Sequence, residues 1–175
     1  MAQTIDFAAL DLQDALDLAI LIEEEARERY QGFQKLVGGR YKGDAADVFK
    51  LMAENEGKHH AELVARRTQL FKDARSRVDS SWIEDVEAPD RGAPRVFMGP
   101  RQAFEVALLS EEKAYDFFAA ALPHLKDPKV RALFEELKGE EARHKLYIQQ
   151  RMAGLPPGPD IEEKDADEPG SDGGG

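Results

Sequence analysis

The chain has no cysteine among its 175 residues. That excludes disulfides, thiolate metal sites and a cysteine-ligated iron centre built into the chain. It also lacks any apolar run approaching about eighteen residues, the length a membrane-crossing helix needs. The opening residues, MAQTIDFAALDLQDALDL, carry acids where a secretory leader would carry Lys or Arg. A cytoplasmic protein with no membrane association is the expectation. Positive charge is in short supply as well: 24 Lys and Arg stand against 35 Asp and Glu, for a net charge of −11. Residues 156–175 hold seven acids against Lys164, a net −6, which leaves −5 on the rest. An acidic chain with dispersed cations repels phosphate backbones, so no nucleic-acid partner is expected.

With 42% hydrophobic residues, the length suffices for one domain with a substantial core. A helix capped by Asp11 or Asp14 is predicted to run to Gly38-Gly39, and a second, capped by Asp44 or Asp47, to about Ala74. The short turn between them predicts antiparallel neighbours. Residues 76–99 break the helical pattern with Pro89, Gly92, Pro94 and Gly99 and read as a long crossover, with little support for a strand. Gly99-Pro100 and Asp127-Pro128 open two further helices, the first ended or kinked by Pro123 and the second ending near Gly154. Residues 1–155 therefore predict an all-α, antiparallel four-helix bundle with a long crossover between helices 2 and 3. Residues 156–175, rich in Pro, Gly and acid, predict a disordered tail.

Within this frame Glu-x-x-His occurs twice, as Glu56-Gly57-Lys58-His59 and as Glu141-Ala142-Arg143-His144. On a helix, residues three apart share one face, so a carboxylate and an imidazole can hold one metal ion together. Glu56 falls inside an apolar stripe formed by Phe49, Met52, Ala53 and Leu63, and Glu141 inside Phe134, Leu137 and Ile148, although Lys138 stands three residues before it. Two further glutamates obey the same rule: Glu23 among Leu16, Ala19, Ala26 and Tyr30, and Glu111 among Phe104, Ala107, Ala114 and Phe118. The helices pair as an internal repeat, since Glu23 to Glu111 spans 88 residues and Glu56 to Glu141 spans 85. Four carboxylates on buried faces need compensating charge, which two divalent cations would supply. Two single glutamates plus two Glu-x-x-His pairs is the ligand set of ferritin-like di-iron or di-manganese bundles. The predicted metal ligands are Glu23, Glu56, His59, Glu111, Glu141 and His144.

Neighbouring candidates fit less well. Glu24, Glu25, Glu54, Glu112 and Glu140 point about 100° or more off the stripe and read as solvated. His60 is out of register with Glu56, and His124 follows Pro123 in a turn. Tyr30 places a hydroxyl seven residues after Glu23, where the other half has Phe118. It is either core packing or a hydrogen-bonding partner of a ligand carboxylate with redox activity, a role for which Tyr115 and Trp82 are weaker candidates.

Over residues 12–153 the chain resembles the rubrerythrin-like, or erythrin, branch of the ferritin-like superfamily. The motifs are Glu23-x-x-Ala26-x-x-x-Tyr30, Ala53-x-x-Glu56-x-x-His59, Glu111-x-x-Ala114 and Glu141-x-x-His144, in that order. The resemblance implies two irons, bridging carboxylates and a centre that cycles between diferrous and diferric states. Rubrerythrins proper carry another glutamate where Ala114 stands, in support of a peroxidase cycle, and a cysteine-ligated rubredoxin domain. With neither present, electrons would come from an external donor. The expected activity is oxidation of a diferrous centre by H2O2 or O2, as peroxide reduction or ferroxidation. The alternatives are a non-catalytic iron-storage or cargo protein and a bundle without functional metal. Manganese would accept the same ligands, and a homodimer is expected.

Overall fold

The computed structural model describes residues 5–83, 86–95 and 97–156. It contains four long helices: α1 (Leu12–Val37), α2 (Ala45–Phe71), α3 (Pro100–Ala121) and α4 (Pro128–Ala153). Single 3-10 turns occur at Ser80–Trp82 and Leu122–His124. No strand is present among the described residues, and apart from the Ser80–Trp82 turn the described part of the crossover is irregular chain. The acidic segment read as a tail lies outside the described residues from 157 onward. No described helix is long and apolar enough to cross a membrane.

Each helix start has an identifiable cause. The Asp11 carboxylate accepts from the backbone N–H of Asp14 at 3.0 Å, and Asp44 Oδ1 accepts from that of Asp47 at 3.2 Å. Asp44 Oδ2 also takes the N–H groups of Arg40 and Tyr41, so one buried carboxylate both caps α2 and ties down the turn before it. Asp127 caps α4 through the N–H groups of Lys129 and Val130, ahead of Pro128. In α3, Pro100 takes the first helical position, where no N–H is required, and Gln102 accepts from Gly99 N–H at 3.0 Å. Gly38 ends α1 with φ +64°, a conformation glycine adopts without strain. α2 stops at Phe71, three residues short of Ala74, because Lys72 turns to φ 51° and its N–H returns to Thr68 O. Replacing Asp44 by Ala leaves three N–H groups without this acceptor. The variant should lose about 1–2 kcal/mol in urea unfolding with the fold retained.

Two hydrophobic clusters fill the bundle, one at each end. The first gathers Leu16 and Ile22 of α1, Leu63 of α2, Ala114 and Phe118 of α3, and Phe134 and Leu137 of α4. The second gathers Tyr30 and Phe33 of α1, Phe49 and Met52 of α2, Phe104 and Ala107 of α3, and Ile148 of α4. Hence α1 and α4 run from the first cluster to the second, and α2 and α3 run from the second to the first. α1–α2 and α3–α4 are antiparallel hairpins, while α2 and α3 point the same way. A parallel neighbour cannot be reached by a tight turn, and 27 residues of α2 rise about 40 Å. The crossover must therefore travel the length of the bundle. Its Val78 and Ile83 pack into the first cluster and its Met98 into the second.

Candidate metal centre

Glu23, Glu56, Glu111 and Glu141 each lie between residues of the first cluster and residues of the second on their own helix. The packing of the two clusters sets that common height, and it brings all four carboxylates together at the centre of the bundle. Their residues are between 0% and 3% exposed. The two histidines stand one turn further along α2 and α4, at the edge of the buried zone, with side chains about a fifth exposed.

The six residues form two like groups. Glu23, Glu56 and His59 each place a ligand atom within 4.8 Å of the others, as do Glu111, Glu141 and His144. His59 Nδ1 lies 3.8 Å from Glu23 Oε2 and 3.6 Å from Glu56 Oε2. His144 Nδ1 lies 3.1 Å from Glu111 Oε2 and 3.3 Å from Glu141 Oε2. The two imidazoles stack face to face, with centroids 4.4 Å apart and planes at 8°. The internal repeat thus becomes a pseudo-twofold arrangement in space, with one Glu-Glu-His triad on each helical hairpin.

A seventh side chain joins them. Glu87 of the crossover is 2% exposed and enters the same cluster, grouped once with Glu23 and Glu141 and again with Glu56 and Glu111. Helical periodicity carries no information about irregular chain, so the pattern that locates the other residues of the cluster is silent here. The local sign is Val86-Glu87-Ala88-Pro89, an acid set among apolar residues in an otherwise charged segment; Ala88 and Pro89 are buried with it. Ala114, buried in the core, brings no carboxylate from α3.

The electrostatics are those of a site short of positive charge. Burial pushes the Glu23 carboxyl well above its usual range, and the charges of Glu87, Glu56 and Glu141 push it further. Glu87 is raised in the same way by burial and then by Glu141, Glu56 and Glu111, and Glu111 by burial and then by Glu56 and Glu141. Burial acts against a charged His144, but the Glu141 carboxylate 3.3 Å away, with the charges of Glu56 and Glu140, outweighs that and raises its pKa. Buried oxygens of Glu23, Glu56, Glu87, Glu111 and Glu141, together with His59 Nδ1, have no hydrogen-bond partner. Unpartnered buried acceptors are costly, and so many aimed at one point call for a cation. Carboxylate oxygen plus imidazole nitrogen suits iron or manganese.

Tyr30 is fully buried and its hydroxyl has no hydrogen-bond partner. Burial raises its pKa well above the ordinary value, with Glu111 and Glu56 adding to the effect, so it stays a neutral phenol beside the cluster. Ser110, whose hydroxyl is also buried and unpartnered, acts on it in the opposite direction. Other candidates lie away from the centre. Glu54 is exposed beside Lys50, Glu25 pairs with Arg29 at 2.6 Å, and Lys145 stands 3.9 Å from Glu112 and over the ring of Tyr115. His60 is half-buried and His124 exposed. Trp82 lines a surface cavity with Phe7 and Phe117. Glu140 differs: it borders His59 in a small cavity of about 70 Å³ with Glu62, Arg66 and Glu136.

Two antiparallel helical hairpins joined by a full-length crossover, with carboxylates and imidazoles gathered at mid-height, define a ferritin-like bundle able to hold metal. The chain belongs to the rubrerythrin family, whose model matches residues 14–152; this is a family of di-iron proteins. The structure is similar to that of an uncharacterised conserved protein from Magnetospirillum magnetotacticum. That likeness has a TM-score of 0.67 at 26% identity and covers 87% of this chain and 99% of the other. A hypothetical protein from Pyrococcus furiosus shares the fold at 19% identity, with a TM-score of 0.53 over 82% of this chain and 89% of its own. No curated protein matches the sequence.

Proposed function

We propose that the chain is a di-iron carboxylate oxidoreductase whose diferrous centre is oxidised by H2O2 or O2. The observation that carries this reading is the pair of buried Glu-Glu-His triads with unpartnered ligand atoms, one from each half of the repeat. Glu23, Glu56 and His59 would hold one iron, and Glu111, Glu141 and His144 the other. A pair of irons supplies two electrons together, the number needed to reduce a peroxide.

The remaining work falls to the chain. The two apolar clusters on either side exclude bulk water and keep the local dielectric low, so each carboxylate acts strongly on a bound cation. The stacked histidines form the more exposed edge, and a small cavity lies beside His59, where an oxidant the size of O2 or H2O2 would approach. Tyr30 keeps a proton on Oη next to Glu56 and Glu111, where it can steady a carboxylate that changes its hold on the metal. Without cysteine the chain has no thiolate centre to relay electrons, so re-reduction draws on an external donor.

An anaerobic ferrous titration of metal-free protein tests the proposal. Wild type should take up about two irons per chain and Glu141→Ala fewer, because Glu141 belongs to one triad and borders Glu87 and Glu23. H2O2 should then oxidise the wild-type centre, and a reductant should permit repeated turnover. Iron retained as a large particle without turnover would indicate storage, and no tight binding would remove the metal centre altogether.

A further inference from the structure

We propose that Glu87, delivered by the crossover, is a seventh metal-binding residue, shared between the two metal positions rather than belonging to either. The inference rests on the metal-centre reading above and extends it to a residue outside the helical repeat.

Three observations support it. Glu87 is almost completely buried, and neither of its carboxylate oxygens has a hydrogen-bond partner. A glutamate kept only for packing or folding would have a cation or N–H groups around it; Asp17, the comparable buried acid of α1, has Arg67 at 2.7 Å. The company Glu87 keeps is also specific. In each of its two ligand groups it meets one carboxylate from each half of the repeat: Glu23 with Glu141, and Glu56 with Glu111. The helical triads each stay within one half. A carboxylate within 4.8 Å of carboxylates from both halves lies between the positions the two triads serve.

The seat of Glu87 is built as well. Lys113 of α3 donates to the carbonyl of Ala88 at 2.8 Å and reaches Asp90 Oδ1 at 3.2 Å. Arg29 of α1, itself held by Glu25, donates to the buried carbonyl of Pro89 at 2.8 Å. Two cations from different hairpins thus clamp the two residues that follow Glu87. They bind backbone carbonyls and leave the carboxylate free to face the centre. The crossover, required by topology, passes mid-height where the cluster lies and brings to it a fifth carboxylate. Because that carboxylate comes from neither repeat, it supplies a ligand common to both ions.

The test is a titration of metal-free full-length protein with Co²⁺, followed by its visible absorption and by melting temperature, for wild type and Glu87→Gln. Gln keeps the size and removes the charge. Wild type should bind about two Co²⁺. In Glu87→Gln at least one of them should bind about tenfold more weakly or worse, with an altered spectrum. The metal-free variant should melt above metal-free wild type, because one member of a crowd of carboxylates is gone, while the Co²⁺-loaded variant should melt below its wild-type counterpart. A purely structural glutamate would lower both. Lys113→Met, which keeps the carboxylate and loosens its seat, should weaken Co²⁺ binding by a smaller factor and provides the reading if Glu87→Gln does not fold. Unchanged affinity, stoichiometry and spectrum in the variants would overturn the role of Glu87 and leave the six-residue centre standing. Failure of wild type to bind Co²⁺ would overturn both.

Discussion

Loading the metal-free protein with ferrous iron under anaerobic conditions should raise its Tm by about 20 °C. The native state without metal holds buried carboxylates of Glu23, Glu56, Glu87, Glu111 and Glu141 with oxygens that no donor satisfies. An ion that binds the folded state and not the unfolded chain stabilises by about 4 kcal/mol at a thousandfold excess over Kd. Two such sites contribute about 8 kcal/mol, and a chain of this size gains roughly 2–4 °C per kcal/mol. Manganese should act in the same direction, since it accepts the same oxygen and imidazole donors. Scanning calorimetry with and without metal, with reversal by a chelator, measures the effect. A shift of only a degree or two would mean that the cluster does not bind metal tightly and that the buried acids are satisfied by protons instead.

The metal-free protein should also become less stable as pH rises from about 5 to 7, the reverse of the usual behaviour of a protein rich in ion pairs. Burial, reinforced by the neighbouring carboxylates, raises Glu23, Glu87 and Glu111 above the ordinary 4.5 in the folded state. Between that value and the folded-state values the native protein holds protons that the unfolded chain has released. The associated stability is fully present below pH 4.5 and is lost as pH climbs through the folded-state values. Each such group contributes a slope of about 1 kcal/mol per pH unit, and their mutual coupling means that protons leave the cluster as a set. The loss across this interval is therefore several kcal/mol. His144, whose folded-state pKa is raised above 6.5, acts with the same sign: its contribution is present below 6.5 and is lost as pH rises. With metal bound the slope should flatten or invert, because the ions take the place of the protons and their binding releases them. Urea unfolding at a series of pH values, with and without Mn²⁺, tests both halves; metal-free stability that rises toward neutral pH would show that the cluster is not protonated in the fold.

Much of this arrangement is legible in the sequence for a simple reason. A helix repeats every 3.6 residues, so an acid placed among apolar residues at offsets of three, four and seven has to face the core. Glu23, Glu56 and Glu111 satisfy that condition on three helices, and Glu141 on the fourth has apolar neighbours at four and seven with Lys138 at minus three. Asp11, Asp44 and Asp127 mark helix starts because an N-cap must supply an acceptor to exposed N–H groups. The end of α2 was less legible, since the left-handed turn at Lys72 has no glycine or proline to announce it.

What the sequence determined by itself, then, is the helical faces: four helices, their caps, and the six residues that meet at the centre. The tertiary structure alone decided which residues of the irregular chain would join them. Glu87 lies in a segment with no period, and its burial depends on a topological requirement, the return path between parallel α2 and α3, together with the grip of Arg29 and Lys113 on the carbonyls beside it. The stacking of His59 on His144 and the unpartnered hydroxyl of Tyr30 likewise depend on how the hairpins dock. Periodicity is a property of one helix at a time, whereas a centre shared by four helices and a crossover is a property of their packing.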